Sequence, residues 1–162
     1  AIMIELRDFS EIHLSNTFKW MQNEKLKNSF LLDKEITKEG HNQWFQSVMK
    51  DSEQRIFAII HQDMHIGNIG LKDIDAKNKK AETWIYIGDH RFKGKGLAAK
   101  SLICLNQKYI GEFEKLYAQV ADFNIASIKT FSKAGYKMEG ILSNELIFKK
   151  ESITIYRFYV LL

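Results

Sequence analysis

The order of hydrophobic and polar residues in the first third of the chain predicts a strand and then a helix. Residues 4–7 alternate between apolar and charged side chains, as a half-buried strand does. Asp8 or Ser10 can cap a helix that continues to Met21, because its apolar side chains recur at the spacing of one buried face. Residues 23–33 lack such a period, so we expect an irregular crossing there.

The next stretch predicts a second helix and a β-hairpin. Thr37 opens a helix whose apolar residues, Trp44 among them, lie on one face. Strand-forming residues fill 55–61 and 65–72, and Gln62-Asp63-Met64 supplies the turn between them. We therefore expect these two strands to pair.

Strands and helices continue to alternate in the second half. Strands are expected at residues 83–87, 115–122, 138–142 and 152–162. The unbroken run from Leu97 to Tyr109 predicts a helix, a second helix begins at Asn124, and residues 143–151 are expected to form a polar turn. This order predicts a mixed α/β fold, an α+β sheet with helices packed on its faces.

Composition favours one domain over residues 1–162, because 162 residues with 45% hydrophobic content can build one sizeable core. Ala1 and Ile2 precede Met3 and are interpreted as a cloning remnant. The formal charge of +4 suits an anionic ligand, but the basic residues are interleaved with acidic ones. We therefore predict no nucleic-acid partner.

Three further features concern the compartment and metal binding. Cys104 is the single cysteine, so no intramolecular disulfide can form, which fits a reducing cytoplasm. No apolar run has the length of a membrane span, and no signal-peptide pattern opens the chain. The histidines lack metal-ligand spacing, so we predict a cytoplasmic protein without a membrane partner or a metal.

A glycine loop lies between the strand at 83–87 and the helix from Leu97. It reads Arg91-Phe92-Lys93-Gly94-Lys95-Gly96-Leu97-Ala98. Without a β-carbon, Gly94 and Gly96 can adopt positive φ and turn backbone N–H groups toward one point at the helix N-terminus, where the helix dipole favours an anion. The three basic residues of the loop surround the same point. The stretch predicts a phosphate-binding cradle.

Two common phosphate loops fit this stretch poorly. A Walker loop needs Gly, four residues and Gly-Lys-Ser/Thr, but Asp89 stands at the first glycine and Gly96 at the hydroxyl position. The dinucleotide pattern G-x-G-x-x-A is matched by residues 94–99, yet no acidic residue follows at the right distance after a second strand. It remains the weaker alternative.

The third pattern, Q/R-x-x-G-x-G/A, is matched by Arg91, Gly94 and Gly96, and here the chain resembles the GNAT superfamily of N-acetyltransferases. The resemblance covers residues 82–140: a strand that begins at Glu82, the loop, the helix after Asn124 and the Ala-Gly-Tyr turn at 134–136. It implies a mostly antiparallel central sheet. The sheet is splayed between the Glu82 strand and the Lys115 strand, where acetyl-CoA inserts.

The resemblance also implies roles for individual residues. Glu82 would be the general base, with a solvent-exposed edge carboxylate as the alternative, and Ile87 would offer a backbone N–H to the oxyanion. Asn124 and Ser127 would contact the pantetheine arm. At the position of Phe131, many relatives have a tyrosine that protonates the departing thiolate. The phenylalanine side chain has no acidic proton and cannot do this. Tyr86, Ser127 or water would then substitute, and we predict Tyr86 as the second catalytic residue.

The acceptor is predicted from the N-terminal half. Trp20, Asn23 and Trp44 are the candidate contacts, and this half resembles the branch that acetylates nucleotide-linked amino sugars and, more distantly, ribosomal proteins and polyamines. We predict transfer to the primary amine of a nucleotide-linked amino sugar in a ternary complex, by a monomer or homodimer. The alternatives are a protein N-terminus, a small polyamine, or a non-catalytic acyl-CoA-binding module, for which Phe131 is the main reason.

Overall fold

The computed structural model describes residues 3–162, so Ala1 and Ile2, with their interpretation as a cloning remnant, lie outside the described residues. Its strands are β1 Glu5–Asp8, β2 Arg55–His61, β3 Met64–Asp75, β4 Lys80–Ile87, β5 Lys115–Ala121, β6 Lys137–Phe148 and β7 Glu151–Leu161. Its α-helices are α1 Leu14–Trp20, α2 Glu24–Ser29, α3 Lys38–Val48, α4 Leu97–Lys108 and α5 Ile125–Lys133.

The seven strands form one sheet in the order β1-β2-β3-β4-β5-β7-β6. Every neighbouring pair is antiparallel except β4 and β5, which are parallel. The predicted mixed, mostly antiparallel sheet is confirmed. Within residues 3–162, no helix combines the length and hydropathy that a membrane span requires.

Alternation along β4 divides its side chains between two faces of the sheet. Ala81, Ile85 and Ile87 point to the main core, which contains Leu102 and Leu105 of α4. The opposite side chains, Glu82, Trp84 and Tyr86, lie on the face where Phe30 follows α2 and contacts two of them. Helices therefore cover both faces.

Two local predictions are wrong. Residues 23–33 include α2, whose N-cap Asn23 accepts a hydrogen bond from the Leu26 N–H at 3.0 Å. Residues 143–151 are not one long turn, because β6 continues to Phe148. The register between β6 and β7 shifts between Leu142 and Leu146, and this irregularity absorbs the polar residues inside the strand.

Candidate active site

The one parallel pair of the sheet opens into a cleft. β4 and β5 pair at only three positions, Lys80 with Lys115, Ala81 with Leu116 and Glu82 with Tyr117. Beyond these positions, β4 continues to Ile87 and β5 continues to Ala121, but the two strands no longer pair with each other. A cavity of about 420 Å³ occupies this opening. The predicted splay of the sheet is confirmed.

Backbone donors of β4 face the cleft. The Gly88 N–H donates to the Ile66 carbonyl of β3 at 2.9 Å, which fixes the alternation of hydrogen bonds along the pair. Even-numbered residues of β4 therefore bond to β3, and odd-numbered residues turn their N–H groups the other way. Since β5 has already diverged, the N–H groups of Ile85 and Ile87 point into the opening. The predicted oxyanion role of Ile87 needs an N–H group directed at the opening, and that role stays a prediction.

The glycine loop has the predicted backbone. Gly94 and Gly96 adopt φ of +72° and +75°, and Gly96 is the N-cap of α4, where no side chain caps the helix. The first N–H groups of a helix twelve residues long are thereby directed at one point. Lys133, at the end of α5, adds a cation, since its Nζ lies 3.0 Å from where a β-carbon on Gly96 would stand. These features fit a pyrophosphate group.

The other loop side chains have three different environments. Lys93 and Ala98 line the cleft. Phe92 and Leu97 are buried in the main core, where they hold the loop from beneath, so only their backbones could meet a cofactor. Lys95 is exposed.

Arg91 is engaged elsewhere. Its guanidinium donates to both carboxylate oxygens of Asp89, at 3.0 and 2.7 Å. These hydrogen bonds lower the pKa of Asp89 to about 2. Arg91 lines a different cavity of about 480 Å³, together with Trp20 and His65. The structure therefore does not bring the Arg91 side chain to the cleft.

Glu82 lies where the β4–β5 ladder ends. Its side chain is 7% exposed, which overturns the alternative of a solvated edge carboxylate. Oε1 accepts a hydrogen bond from Gln119 Nε2 at 3.1 Å, and Oε2 lies 3.5 Å from Lys72 Nζ. All three residues line the cleft. Gln119 and Lys72 were missed in the sequence because they lie on other strands and belong to no local motif.

Phe131 is both a core residue and part of the cleft wall. It is 4% exposed and packs against Tyr136 and Phe158, with ring centroids 5.0 and 6.4 Å apart. Tyr136 does not replace a missing acid, because its hydroxyl donates to Asn106 Oδ1 at 3.0 Å and burial raises its pKa to about 12.

Asn124 and Ser127 lie together at the start of α5, and both line the cleft. The Ser127 N–H donates to Asn124 Oδ1 at 3.2 Å, which confirms Asn124 as the N-cap. The amide nitrogen of Asn124 is not used by this cap. It can serve a second partner in the cleft.

A second cavity of about 500 Å³ adjoins the cleft on the opposite side of β4 from the core. The two cavities share Phe30, Lys72, Trp84 and Tyr86. Trp84 and Tyr86 stack with ring centroids 6.1 Å apart, and Phe30 meets both rings edge-on. This second cavity is thus walled by aromatic rings, and it is called the acceptor cavity below because we propose that the acceptor binds there.

The three predicted acceptor residues separate. Trp44 lines the acceptor cavity and is 37% exposed. Trp20 packs on Gly88, where a β-carbon would stand 2.0 Å from its ring, and it lines the cavity of Arg91 instead. Asn23 is occupied as the N-cap of α2. The structure places Trp20 and Asn23 outside the residues that wall the acceptor cavity.

A buried hydrogen-bond network fixes Tyr86. Asn68 Nδ2 donates to Tyr86 Oη at 2.7 Å and to Thr17 Oγ1 at 2.9 Å, while Asn68 Oδ1 lies 2.8 Å from His65 Nε2. Burial raises the pKa of Tyr86 well above its ordinary value. The raised pKa makes this phenol a weak acid, as it does for Tyr136, so the catalytic role of Tyr86 stays a prediction. The phenol sits on the acceptor side of β4.

Buried histidines predict a loss of stability in mild acid. His13, His41 and His65 each have a pKa below the ordinary value, and desolvation by burial is the largest cause in all three. The unfolded chain binds protons at these residues below about pH 6.5, whereas the folded chain does so only at lower pH. The contribution is therefore complete above about pH 6.5 and is lost as the pH falls through the depressed values.

We expect the urea midpoint of unfolding to fall between about pH 7 and about pH 5. Replacing His41 by Phe should reduce this fall, because one of the three titrating groups is removed. An unfolding midpoint that does not change over this range would contradict the prediction.

Comparison with known proteins identifies the class that this fold and cleft define. The family model described as an acetyltransferase (GNAT) domain matches residues 4–137, so the chain belongs to the GNAT acetyltransferase family. The matched domain is thus of an acetyltransferase type. The resemblance found in the glycine loop is confirmed.

Two curated relatives are similar over most of the chain. The uncharacterized protein MJ1062 of Methanocaldococcus jannaschii is 28% identical over 138 residues, which are 83% of this chain and 28% of that protein. The SPbeta prophage-derived uncharacterized N-acetyltransferase YokL of Bacillus subtilis is 25% identical over 135 residues, 82% of this chain and 75% of that one. The chain thus spans less than a third of the length of MJ1062.

Solved structures share the fold. The spermidine N-acetyltransferase of Vibrio cholerae, in complex with CoA and spermine, has a TM-score of 0.87 and 22% identity over 98% of this chain and 95% of that one. RimL, a ribosomal L7/L12 alpha-N-protein acetyltransferase with coenzyme A, has a TM-score of 0.88 and 19% identity. The match covers 100% of this chain and 98% of RimL. The microcin C7 self-immunity acetyltransferase MccE, with acetyl-CoA and AMP, has a TM-score of 0.84 and 19% identity. The match covers 98% of this chain and 92% of MccE.

Proposed function

We propose that this chain transfers the acetyl group of acetyl-CoA to the primary amine of a nucleotide-linked amino sugar, by direct attack in a ternary complex. The observation that carries the proposal is the pair of adjoining cavities, one on the glycine loop and one walled by aromatic rings, with Glu82 on the wall of the first near their junction. Donor and acceptor can then occupy separate sites and meet at the splay of the sheet.

The lining of the acceptor cavity favours a sugar over a polyamine. Aromatic rings suit the C–H faces of a sugar or the plane of a base. Glu35 is the one carboxylate on the cavity wall, and Lys72 places a cation there. A polyamine carries several positive charges and needs several carboxylates, whereas a diphosphate is attracted by lysine and by the net charge of +4.

Neighbouring structures support both the proposal and its alternatives. MccE was solved with acetyl-CoA and AMP, which supports a nucleotide as part of the acceptor. The Vibrio cholerae enzyme was solved with spermine, and RimL acts on a ribosomal protein, so these two support the polyamine and the protein N-terminus. The cytoplasm and the choice between monomer and homodimer stay predictions.

Acetyl-CoA, when bound, supplies the acetyl group as a reactive thioester. Glu82 accepts the proton of the acceptor ammonium, directly or through one water, because its carboxylate lies on the cleft wall where the β4–β5 ladder ends. The Ile87 N–H, and Ile85 beside it, stabilise negative charge on the carbonyl oxygen. Gly94, Gly96 and Lys133 hold the pyrophosphate, and Asn124 holds the pantetheine arm.

A panel of amines tests the acceptor class. Thiol release from acetyl-CoA is measured with UDP-glucosamine, free glucosamine, spermidine and a peptide with a free N-terminus. We expect the highest kcat/KM for UDP-glucosamine and a clear loss when UDP is removed. A higher kcat/KM for spermidine or for the peptide would overturn the amino-sugar proposal. Tight acetyl-CoA binding without turnover of any amine would favour the non-catalytic module.

Phe131→Tyr tests how the thiolate leaves. The ring lines the cleft, so the added hydroxyl is expected to reach the cleft and offer a proton beside the thiolate. Turnover should be equal or higher, and the melting temperature should barely change. If the hydroxyl is instead buried in the core without a partner, it costs roughly 1–3 kcal/mol. A clear fall in melting temperature with unchanged acetyl-CoA binding would then remove Phe131 from the site.

A further inference from the structure

Lys72 carries a primary amine on the wall that the two cavities share. Within residues 3–162, the lysines that line the cleft are Lys25, Lys72 and Lys93, and of these Lys72 alone also lines the acceptor cavity. Its side chain is 47% exposed, and its ammonium stands at the end of a flexible four-carbon stem. The chain itself thus supplies the functional group that the proposed reaction consumes, where donor and acceptor are proposed to meet.

The register of the sheet holds this amine beside the proposed base. Lys72 of β3 pairs directly with Glu82 of β4, so the two side chains extend from the same face of the sheet. Lys72 Nζ lies 3.5 Å from Glu82 Oε2, while Gln119 Nε2 donates to Oε1 at 3.1 Å. Oε2 is therefore the oxygen that faces an amine, and that amine belongs to Lys72.

The contact between Lys72 and Glu82 is loose. A distance of 3.5 Å exceeds the usual length of an N–H···O hydrogen bond, and a half-exposed ion pair adds little to stability. Lys115 shows the contrast, because its Nζ donates to Glu139 Oε2 at 2.9 Å. The Lys72 ammonium can therefore move on its stem while it stays within reach of the base.

We propose that Lys72 is an acetylation site of the protein itself, modified by bound acetyl-CoA when no acceptor occupies the acceptor cavity. The inference rests on the proposed function, because it needs acetyl-CoA in the cleft and Glu82 as the base. An acceptor amine must lie within hydrogen-bond reach of its base, directly or through one water. Lys72 Nζ is near Glu82 before any acceptor arrives, and its tether to β3 replaces a bimolecular encounter.

The step balances as an acyl transfer. The Lys72 ammonium gives one proton to Glu82, and the neutral nitrogen attacks the thioester carbon. An N–C bond forms and the C–S bond breaks. The second proton of the nitrogen passes through water to the departing thiolate, and Glu82 returns its proton to the solvent. The product is uncharged, so acetylation removes the cation that lies beside Glu82.

Mass spectrometry of the full chain incubated with acetyl-CoA alone tests this self-acetylation. Lys25 and Lys93 are internal controls, because they line the same cleft, whereas the ion pair with Glu82 belongs to Lys72. Peptide mapping should find acetylation at Lys72 about tenfold faster than at either control, since only Lys72 is held beside the base. Equal rates at the three lysines would overturn the proposal.

Glu82→Gln distinguishes catalysed from spontaneous acetylation. The variant keeps the shape of the side chain and removes the proton acceptor, so the rate at Lys72 should fall to that of the two control lysines. Lys72→Arg keeps a positive charge and should remove the fast-forming acetyl group from the peptide map. Acetylation of Lys72 that continues at the parent rate in Glu82→Gln would refute the proposal.

Chemical labelling tests the position of the amine without any turnover. Acetic anhydride modifies accessible lysine amines in the absence of acetyl-CoA. We expect CoA, which has no acetyl group to transfer, to slow the labelling of Lys72. The labelling of Lys137, an exposed residue of the edge strand β6, should not change. If CoA leaves the labelling of Lys72 unaltered, the amine lies outside the reach of the cofactor and the proposal is overturned.

The amine panel separates this inference from the proposed function. Turnover of an amine by a chain that leaves Lys72 unmodified when no acceptor is present would refute self-acetylation alone. Acetylation of Lys72 without turnover of any amine would support self-acetylation and refute transfer to an acceptor. Where both occur, UDP-glucosamine should slow the acetylation of Lys72, because the two amines compete for one acetyl group. An undiminished rate would contradict their shared place beside Glu82.

Discussion

Glu82→Gln is expected to lower kcat on the order of 10²-fold, the usual contribution of a general base. Glutamine keeps the shape of the side chain and can still accept from Gln119, but it cannot take a proton from the amine. The loss should be largest near neutral pH, where the acceptor is protonated. Thiol release measured across a range of pH, together with acetyl-CoA affinity by calorimetry, checks the prediction.

Glu139→Gln provides the control for that variant. Glu139 also pairs with cations, Lys115 at 2.9 Å and Arg157 at 2.8 Å, but it lines neither the cleft nor the acceptor cavity. Its replacement should leave the rate and the pH profile intact. If Glu82→Gln retains the parent's pH–rate profile, Glu82 is not the base.

Gly96→Val should weaken acetyl-CoA binding at least tenfold. At φ of +75° a β-branched residue is strained, so the backbone at the N-cap of α4 must rearrange. The first N–H groups of α4 would then no longer point to the proposed phosphate position. Direct collision is a smaller effect, because the nearest atom to a new β-carbon is the flexible Lys133 ammonium. Titration calorimetry with acetyl-CoA measures the affinity, and circular dichroism checks that the domain still folds.

Gly111→Val separates strain from the cradle. Gly111 has φ of +94° and no atom within 4 Å of a new β-carbon, and it lies in the loop before β5, outside the cleft. This variant should lose stability while its acetyl-CoA affinity stays near the parent value. Unchanged affinity in Gly96→Val, or equal losses of affinity in both variants, would refute the phosphate cradle.

The donor half of the site could be predicted because its parts are adjacent in sequence. Strand, loop and helix follow one another from β4 to α4, so a motif of eight residues fixes the backbone that we propose to bind a phosphate. Asn124 was likewise visible, since an N-cap is a local feature. Lys133 was not, because it reaches the loop from the far end of another helix.

The acceptor half could not be predicted to the same degree. Its wall combines Thr17 of α1, His41 of α3 and Trp84 of β4, which only the packing of helices on the sheet brings together. Trp20 was expected there because it is aromatic and lies next to the apolar face of the first predicted helix. Which way it points depends on the close approach of Gly88, which sequence periodicity does not encode.

The prediction of secondary structure failed where polar residues lie inside a helix or a strand. α2 has the sequence Glu-Lys-Leu-Lys-Asn-Ser and buries only Leu26 and Lys27, so it shows no hydrophobic period. In β6 the irregular pairing between Leu142 and Leu146 interrupts the alternation that marks a strand. In both places tertiary contacts decide the structure and the local pattern does not.

Because β4 and β5 pair at only three positions, acetyl-CoA bound between them as proposed would stabilise the sheet as well as take part in the reaction. Where β4 and β5 diverge, each has an inner edge in the middle of the sheet. The backbone N–H and C=O groups along these edges lack the hydrogen bonds that paired strands make. A molecule that spans the gap ties strands β1–β4 to strands β5–β7. Cellular acetyl-CoA at about a hundred times its dissociation constant would then add about 2.7 kcal/mol to the free energy of unfolding. The lifetime of the protein would accordingly follow the metabolic supply of its donor.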